Sequence, residues 1–122
     1  MRDGMEEPVT KEDLQTLAKN LRDMSPITRM HAAKAFVGMG PAAADALPSL
    51  LKALRDPLMD VRLAATQAIG GIGPRAETAV GDLIGMLKDA EFDVRKNALI
   101  SLAKVGAAAI PGLIAEYERK DK

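Results

Sequence analysis

Apolar residues recur along the chain in helical phase, broken at regular intervals by glycine and proline. Val61, Ala65, Ala68, Ile69 and Ile72 form one stripe, and after Gly70, Gly71, Gly73 and Pro74, read as the helix break, Val80, Leu83, Ile84 and Leu87 form a second. Spacings of i, i+3, i+4 and i+7 put side chains on one face of an α-helix. The stretch from Asp56 to Asp89 therefore reads as a helix pair. Its pattern returns every 33 residues, aligning Asp23, Asp56 and Asp89, then Arg29, Arg62 and Arg95, then Phe36, Ile69 and Leu102, then Gly40, Gly73 and Gly106. A period between about 20 and 50 residues marks a stacked-repeat architecture.

Taken in order, residues 1–9 read as a flexible tail, and a single repeat domain fills 10–122, divided into a half repeat 10–23 and repeats 24–56, 57–89 and 90–122. Leu14, Leu17, Ala18 and Leu21 match Leu47, Leu50, Leu51 and Leu54, so the helix from Thr10 to Arg22 is a repeat's second helix. Thr10 with Asp13 resembles a capping box, with Asp standing for the usual Glu or Gln. Ser25-Pro26 and Asp56-Pro57 are helix starts, because a small oxygen-bearing side chain accepts free amides and proline fits the first turn. Pro48 lies inside the expected second helix, 43–55, and predicts a late start or a kink there. Gly81 and Gly85 weaken the next second helix by about 1 kcal/mol each relative to Ala. The third repeat keeps Val94, Ala98, Leu102 and Val105, shortens its inter-helix turn, and aligns Leu113 and Ile114 with Leu83 and Ile84. Its polar end, Glu116 to Lys122, is expected to be a C-terminal cap.

Composition suits this picture: 48% of residues are apolar, only 2% aromatic and 28% charged, as close-packed, aliphatic helices require. Lys plus Arg and Asp plus Glu balance at 17 each, which leaves no global field toward nucleic acid or an anionic membrane. The absence of Cys excludes disulfides, thiolate zinc sites and Cys catalysis. No apolar run approaches the length of a membrane span, and no signal-type segment follows Met1. A cytoplasmic location is the expectation.

The runs D-P-x-x-D-V-R-x-x-A-x-x-A-I-x-x-I-G-P from Asp56 and D-x-x-F-D-V-R-x-x-A-x-x-x-L-x-x-V-G from Asp89 resemble the HEAT-repeat family, in the short bacterial form of phycobilisome-lyase-like proteins. Repeat one departs from the pattern, with Ile27-Thr28-Arg29 in place of Asp-Val-Arg. The resemblance implies an all-α fold, a right-handed α-α superhelix (a HEAT-like α-solenoid) of about seven helices in three and a half repeats. It also implies first helices on the convex surface, second helices on the concave one, and a structural ladder of Asp56 and Asp89 with Arg62 and Arg95.

Catalytic chemistry finds no foothold. His31 is the lone histidine, expected to be partly buried and bonded to a neighbouring turn. A metal needs several converging donors, and HEAT-like iron hydroxylases use His-Glu pairs, whereas His31 precedes Ala32. The glycine clusters follow no strand and precede no Lys-Ser/Thr, so they are not phosphate cradles. Nucleic acid is disfavoured: Arg29, Arg62, Arg95, Lys34, Lys96 and Lys104 lie on first helices, and Phe36 and Phe92 fit core or near-core positions, leaving Tyr117 as the one free stacking ring.

The surface left for function is the side of the second helices turned away from their stripes. It carries Glu12, Thr16, Lys19, Asn20, Asp45, Ser49, Lys52, Asp82, Met86 and Glu116, with Ala53 counted in the same column as Asn20, Met86 and Glu116. Methionine is common where varied partners are accepted. These residues form the expected binding face of a non-enzymatic module, without cofactor or metal, that takes another protein or a peptide segment. A bilin-lyase-like subunit and a structural fragment of a longer solenoid are the alternatives, with the chain a monomer or weakly self-associating, and with Leu14 and Leu17 exposed in the latter case.

Overall fold

Thr10 begins the first helix, its backbone extended and its hydroxyl accepting the Asp13 amide at 3.0 Å while the Asp13 carboxylate accepts the Thr10 amide at 3.0 Å. The capping box thus forms with Asp as the reciprocal acceptor. The computed structural model describes residues 10–106 and 109–120; the expected tail at 1–9 and positions 107 and 108 of the last inter-helix turn lie outside the described residues. Among the described residues are seven α-helices: α1 Lys11–Asn20, α2 Pro26–Val37, α3 Leu47–Ala53, α4 Met59–Ile72, α5 Val80–Gly85, α6 Phe92–Val105 and α7 Ala109–Lys120.

The first helices of the pairs, α2, α4 and α6, lie against one another in order, and the second helices form a row behind them. α2 starts on Ser25, whose hydroxyl accepts the Thr28 amide, and stops at Gly38. α4 corrects the expected break, because Gly70 and Gly71 remain helical and the stop falls at Gly73. Gly40, Gly73 and Gly106 all adopt positive φ, at 63°, 78° and 90°. That conformation is open to glycine at little cost, so the period repeats a backbone requirement.

After each turn the chain enters its second helix through a 3-10 segment, Gly40–Ala46 and again Gly73–Ala79. Pro48 then occupies the first turn of α3, where a missing amide leaves nothing unsatisfied. The late start is therefore the outcome, and α3 is shorter than the expected 43–55. Ala53, placed outward by its column with Asn20, Met86 and Glu116, is buried at 5% exposure, because the buried face of α3 runs through Leu47, Leu50, Ala53 and Leu54.

Phe36, Ile69 and Leu102 on the first helices and Leu50 and Leu83 on the second are essentially sealed from water. Each such side chain contributes about 1.5–3 kcal/mol by leaving water. The α4–α6 contact is the tightest. Ser101 Oγ donates to the Thr66 carbonyl at 2.7 Å, and a Cβ at Gly70 would fall 2.7 Å from Ser101 Cβ. Gly70 is thus a glycine of close approach, not of termination.

Other expectations fail toward the chain's ends. Phe92 is 63% exposed, and α7 exposes Ile110 and Ile114 ahead of the expected polar end and Tyr117 within it, while Asp121 and Lys122 lie outside the described residues. Leu14 and Leu17 are half-buried, whereas His31 is exposed.

Candidate protein-interaction face

The turns between pairs are held by a repeated polar unit. Arg29 Nε donates to Asp56 at 2.7 Å and Arg62 Nε to Asp89 at 2.9 Å, with the Asp side chains only 7% and 8% exposed. The second oxygen of each Asp accepts the amide two residues on, from Leu58 and Glu91, both at 2.9 Å. Each Arg also ties its own turn, Nη1 donating to the carbonyls of Asp23 and Met24, of Asp56 and Pro57, and, for Arg95, of Asp89 and Ala90. The departure at Ile27-Thr28 leaves this unit intact, since it needs only the Arg. Burial opposes ionisation of Asp89, but the Arg62 hydrogen bond, the Glu91 amide and the charges of Arg62 and Arg95 outweigh it and hold the carboxyl below its ordinary value.

The second-helix row is more open. Between α3 and α5 lies a shallow groove of about 200 Å³, lined by Leu54, Arg55, Gly81, Asp82, Gly85 and Met86. A Cβ at Gly81 or Gly85 would meet nothing within 4 Å, so these glycines widen the groove and pack against no neighbour. A second groove, about 300 Å³, runs between α1 and the 3-10 segment before α3, lined by Lys11, Leu14, Gln15, Ala18, Asp45 and Ala46.

Of the candidate residues, Asp82 and Met86 share the first groove and Asp45 lies in the second. Glu12, Thr16, Lys19 and Lys52 are exposed on the same helices outside the two linings, while Asn20, Ser49 and Glu116 are half-buried. Arg55 reaches Asp82 at 3.9 Å, and Lys88 reaches Glu116 at 3.4 Å. Arg119 donates to both Glu116 oxygens at 2.7 Å, and chiefly this bond holds the Glu116 carboxyl below its usual value. Pairs of this kind are screened by water and contribute little to the fold, so their exchange carries a small cost. Arg55, Lys88, Lys11 and Gln15 were not among the candidate residues. A signal existed for two of them, because Arg22, Arg55 and Lys88 recur with the 33-residue period.

Among the described residues no three His, Cys, Asp or Glu side chains gather as a metal site, and no helix is long and apolar enough to cross a membrane.

An all-α stack of helix pairs, locked turn to turn by Arg and Asp, defines an α-solenoid. Residues 14–103 and 47–121 match the HEAT-repeat family, and the chain belongs to it. Repeats of this family generally act as protein-interaction scaffolds and are generally non-enzymatic. A crystal structure of an engineered protein from the Northeast Structural Genomics Consortium is similar, with a TM-score of 0.73 at 22% identity over 85% of this chain and 51% of that one. The chain spans about half the length of that engineered protein, and the likeness concerns the fold alone. Among curated proteins nothing matches.

Proposed function

We propose that the protein is a non-enzymatic interaction module that takes a protein segment along its second-helix row. The observation that carries this reading is the pair of shallow grooves between successive members of that row, each with apolar groups beside charged ones. Leu54, Met86 and Leu14 offer apolar contact, while Arg55, Asp82, Lys11 and Asp45 offer both signs of charge. Such a lining suits a helix or an extended peptide with interspersed charges. The grooves are small beside the roughly 800 Å² that each partner buries in a stable standard-size complex, so affinity is modest or shared within a larger assembly.

Capture from lysate of the source tests the reading. The purified chain should retain a protein that a folded Lys19→Glu/Lys52→Glu variant releases, since both lysines are exposed and their reversal alters charge without disturbing the core. Equal retention by a folded variant removes these lysines from the binding surface. Retention of a pigment would instead favour a bilin-lyase-like role.

A further inference from the structure

The face of α6 that corresponds to the α6-covered face of α4 is open to water and is the more apolar of the two. Leu99 stands one period after Thr66 and two after Ala33, both 0% exposed, yet Leu99 is 59% exposed and its neighbour Ile100 44%. The second row behaves alike. Ile110, Ile114 and Tyr117 follow Val80, Ile84 and Leu87 at an offset of 30, and Val80 and Ile84 are buried whereas the later three are exposed. Arg95 completes the set. Its guanidinium lies 5.8 Å from the centroid of the Phe92 ring and binds its own turn through Nη1, but among the described residues no carboxylate pairs with it as Asp56 and Asp89 pair with Arg29 and Arg62.

The opposite end carries the counterpart. Asp23 holds the place of Asp56 and Asp89; its Oδ2 accepts the Ser25 amide at 2.8 Å as theirs accept Leu58 and Glu91, and among the described residues no guanidinium reaches it. Ala35 holds the place of Ala68 and Ser101, which are 1% and 2% exposed, yet Ala35 is exposed. A Cβ on nearby Gly38 would meet nothing within 4 Å.

We propose that the α6 end of one molecule binds the α2 end of a second copy, head to tail, continuing the row of first helices between molecules in the manner of the α2–α4 pair. Arg95 then pairs with Asp23 of the next copy as Arg62 pairs with Asp89, and Leu99 and Ala103 face its Ala35 in the register of Ala33 and Val37 toward Ala68, since the α2–α4 pair already carries a side chain where α4 has Gly70. In this register α7 takes the place of the incoming copy's α1 against α2, which covers Ile110, Ile114 and Tyr117. α1 must then give up the core contacts of the half-buried Leu14 and Leu17, while none of its helical residues is fully buried. An interface between unlike ends that does not close into a ring produces open-ended assemblies.

Sedimentation equilibrium over rising concentration tests this, with the weight-average mass expected to climb above 13.0 kDa. Arg95→Asp and Asp23→Arg each place like charges at every junction and should weaken association about tenfold or more. Mixing the two variants restores complementary charges at every junction, so the mixture should associate as the wild type does. Leu99→Lys, at an exposed position, should weaken association without a change in helical circular dichroism. A wild type that stays at monomer mass at the highest concentration, single variants that associate unchanged, or a mixture that stays monomeric would each overturn the proposal.

Discussion

Helices α4 and α6 are both 14 residues long and bury the same stripe, Val61, Ala65, Ile69 and Ile72 in one and Val94, Ala98, Leu102 and Val105 in the other. They differ on the next face round. In α4 that face holds Thr66, Gln67 and Gly70, covered by α6; in α6 it holds Leu99, Ile100 and Ala103, which are exposed. The covered face is the more polar and the smaller of the two. Close helix packing therefore selects for fit and satisfied hydrogen bonds, as in the Ser101 to Thr66 bond, and the amount of apolar surface is secondary to both. Hydrophobicity alone would assign these two faces the wrong way round.

The largest effect separating the two faces comes from truncating one residue on each. Ile69→Ala opens a cavity at a fully buried site and should cost about 2–5 kcal/mol. Leu99→Ala, at 59% exposure, should stay within about 0.5 kcal/mol in dilute solution. Urea unfolding of both variants reads the difference. Comparable losses would mean that Leu99 is buried in the working form of the protein even when dilute.

A smaller effect isolates fit from hydrophobicity. Gly70→Ala adds a methyl group where Ser101 Cβ stands 2.7 Å away, so α4 and α6 must separate. Overpacking of this kind costs about 1–3 kcal/mol, against the gain of roughly 1 kcal/mol that alanine normally brings to a helix interior. A net destabilisation that Ser101→Gly partly reverses is the expected outcome, measured by thermal unfolding of the single and double variants. A Gly70→Ala protein more stable than the wild type would show that the contact has slack. The matching position in α6 already carries the methyl group, as Ala103, on an exposed face.

The period, the helix starts at Thr10 and Ser25 and the late start at Pro48 were legible because each depends on a few adjacent residues. Gly70 and Gly71 misled because glycines just before Gly73-Pro74 look like a terminator, whereas the reason for a glycine at 70 is Ser101 on another helix. Ala53 was assigned outward because its column holds Asn20, Met86 and Glu116, whereas it stands beside Leu50 on the buried face of α3. Phe92 looked like a core residue because its type says so, while its exposure depends on whether a helix packs beyond α6. The candidate face was legible as a row of second helices. The grooves within it were not, since they arise from the spacing between helices and from side chains that are missing at Gly81 and Gly85.

The smallest effect tests the polar contrast between the two helices, a ladder filled at Arg62 and open at Arg95. Asp89→Asn removes the charge that Arg62 faces while keeping the shape and the capping acceptor for Glu91, and should cost about 1 kcal/mol at neutral pH. The dependence on pH follows from the lowered Asp89 carboxyl. A group whose folded pKa lies below its unfolded value stabilises the fold above the unfolded value and loses that contribution as pH falls through the folded one. The stabilisation should therefore be complete at neutral pH and fade below the ordinary value of 3.8. The gap between wild type and Asp89→Asn in urea unfolding should accordingly narrow from pH 7 toward about pH 3. Arg95→Ala removes only the smallest of the contributions that lower Asp89, with no direct ion pair among the described residues, and should show a deficit that changes less over the same range. If instead the two variants lose their deficits in parallel, the charge of Asp89 is not what Arg62 contributes, and the ladder acts through the turn carbonyls that Arg62 and Arg95 both bind.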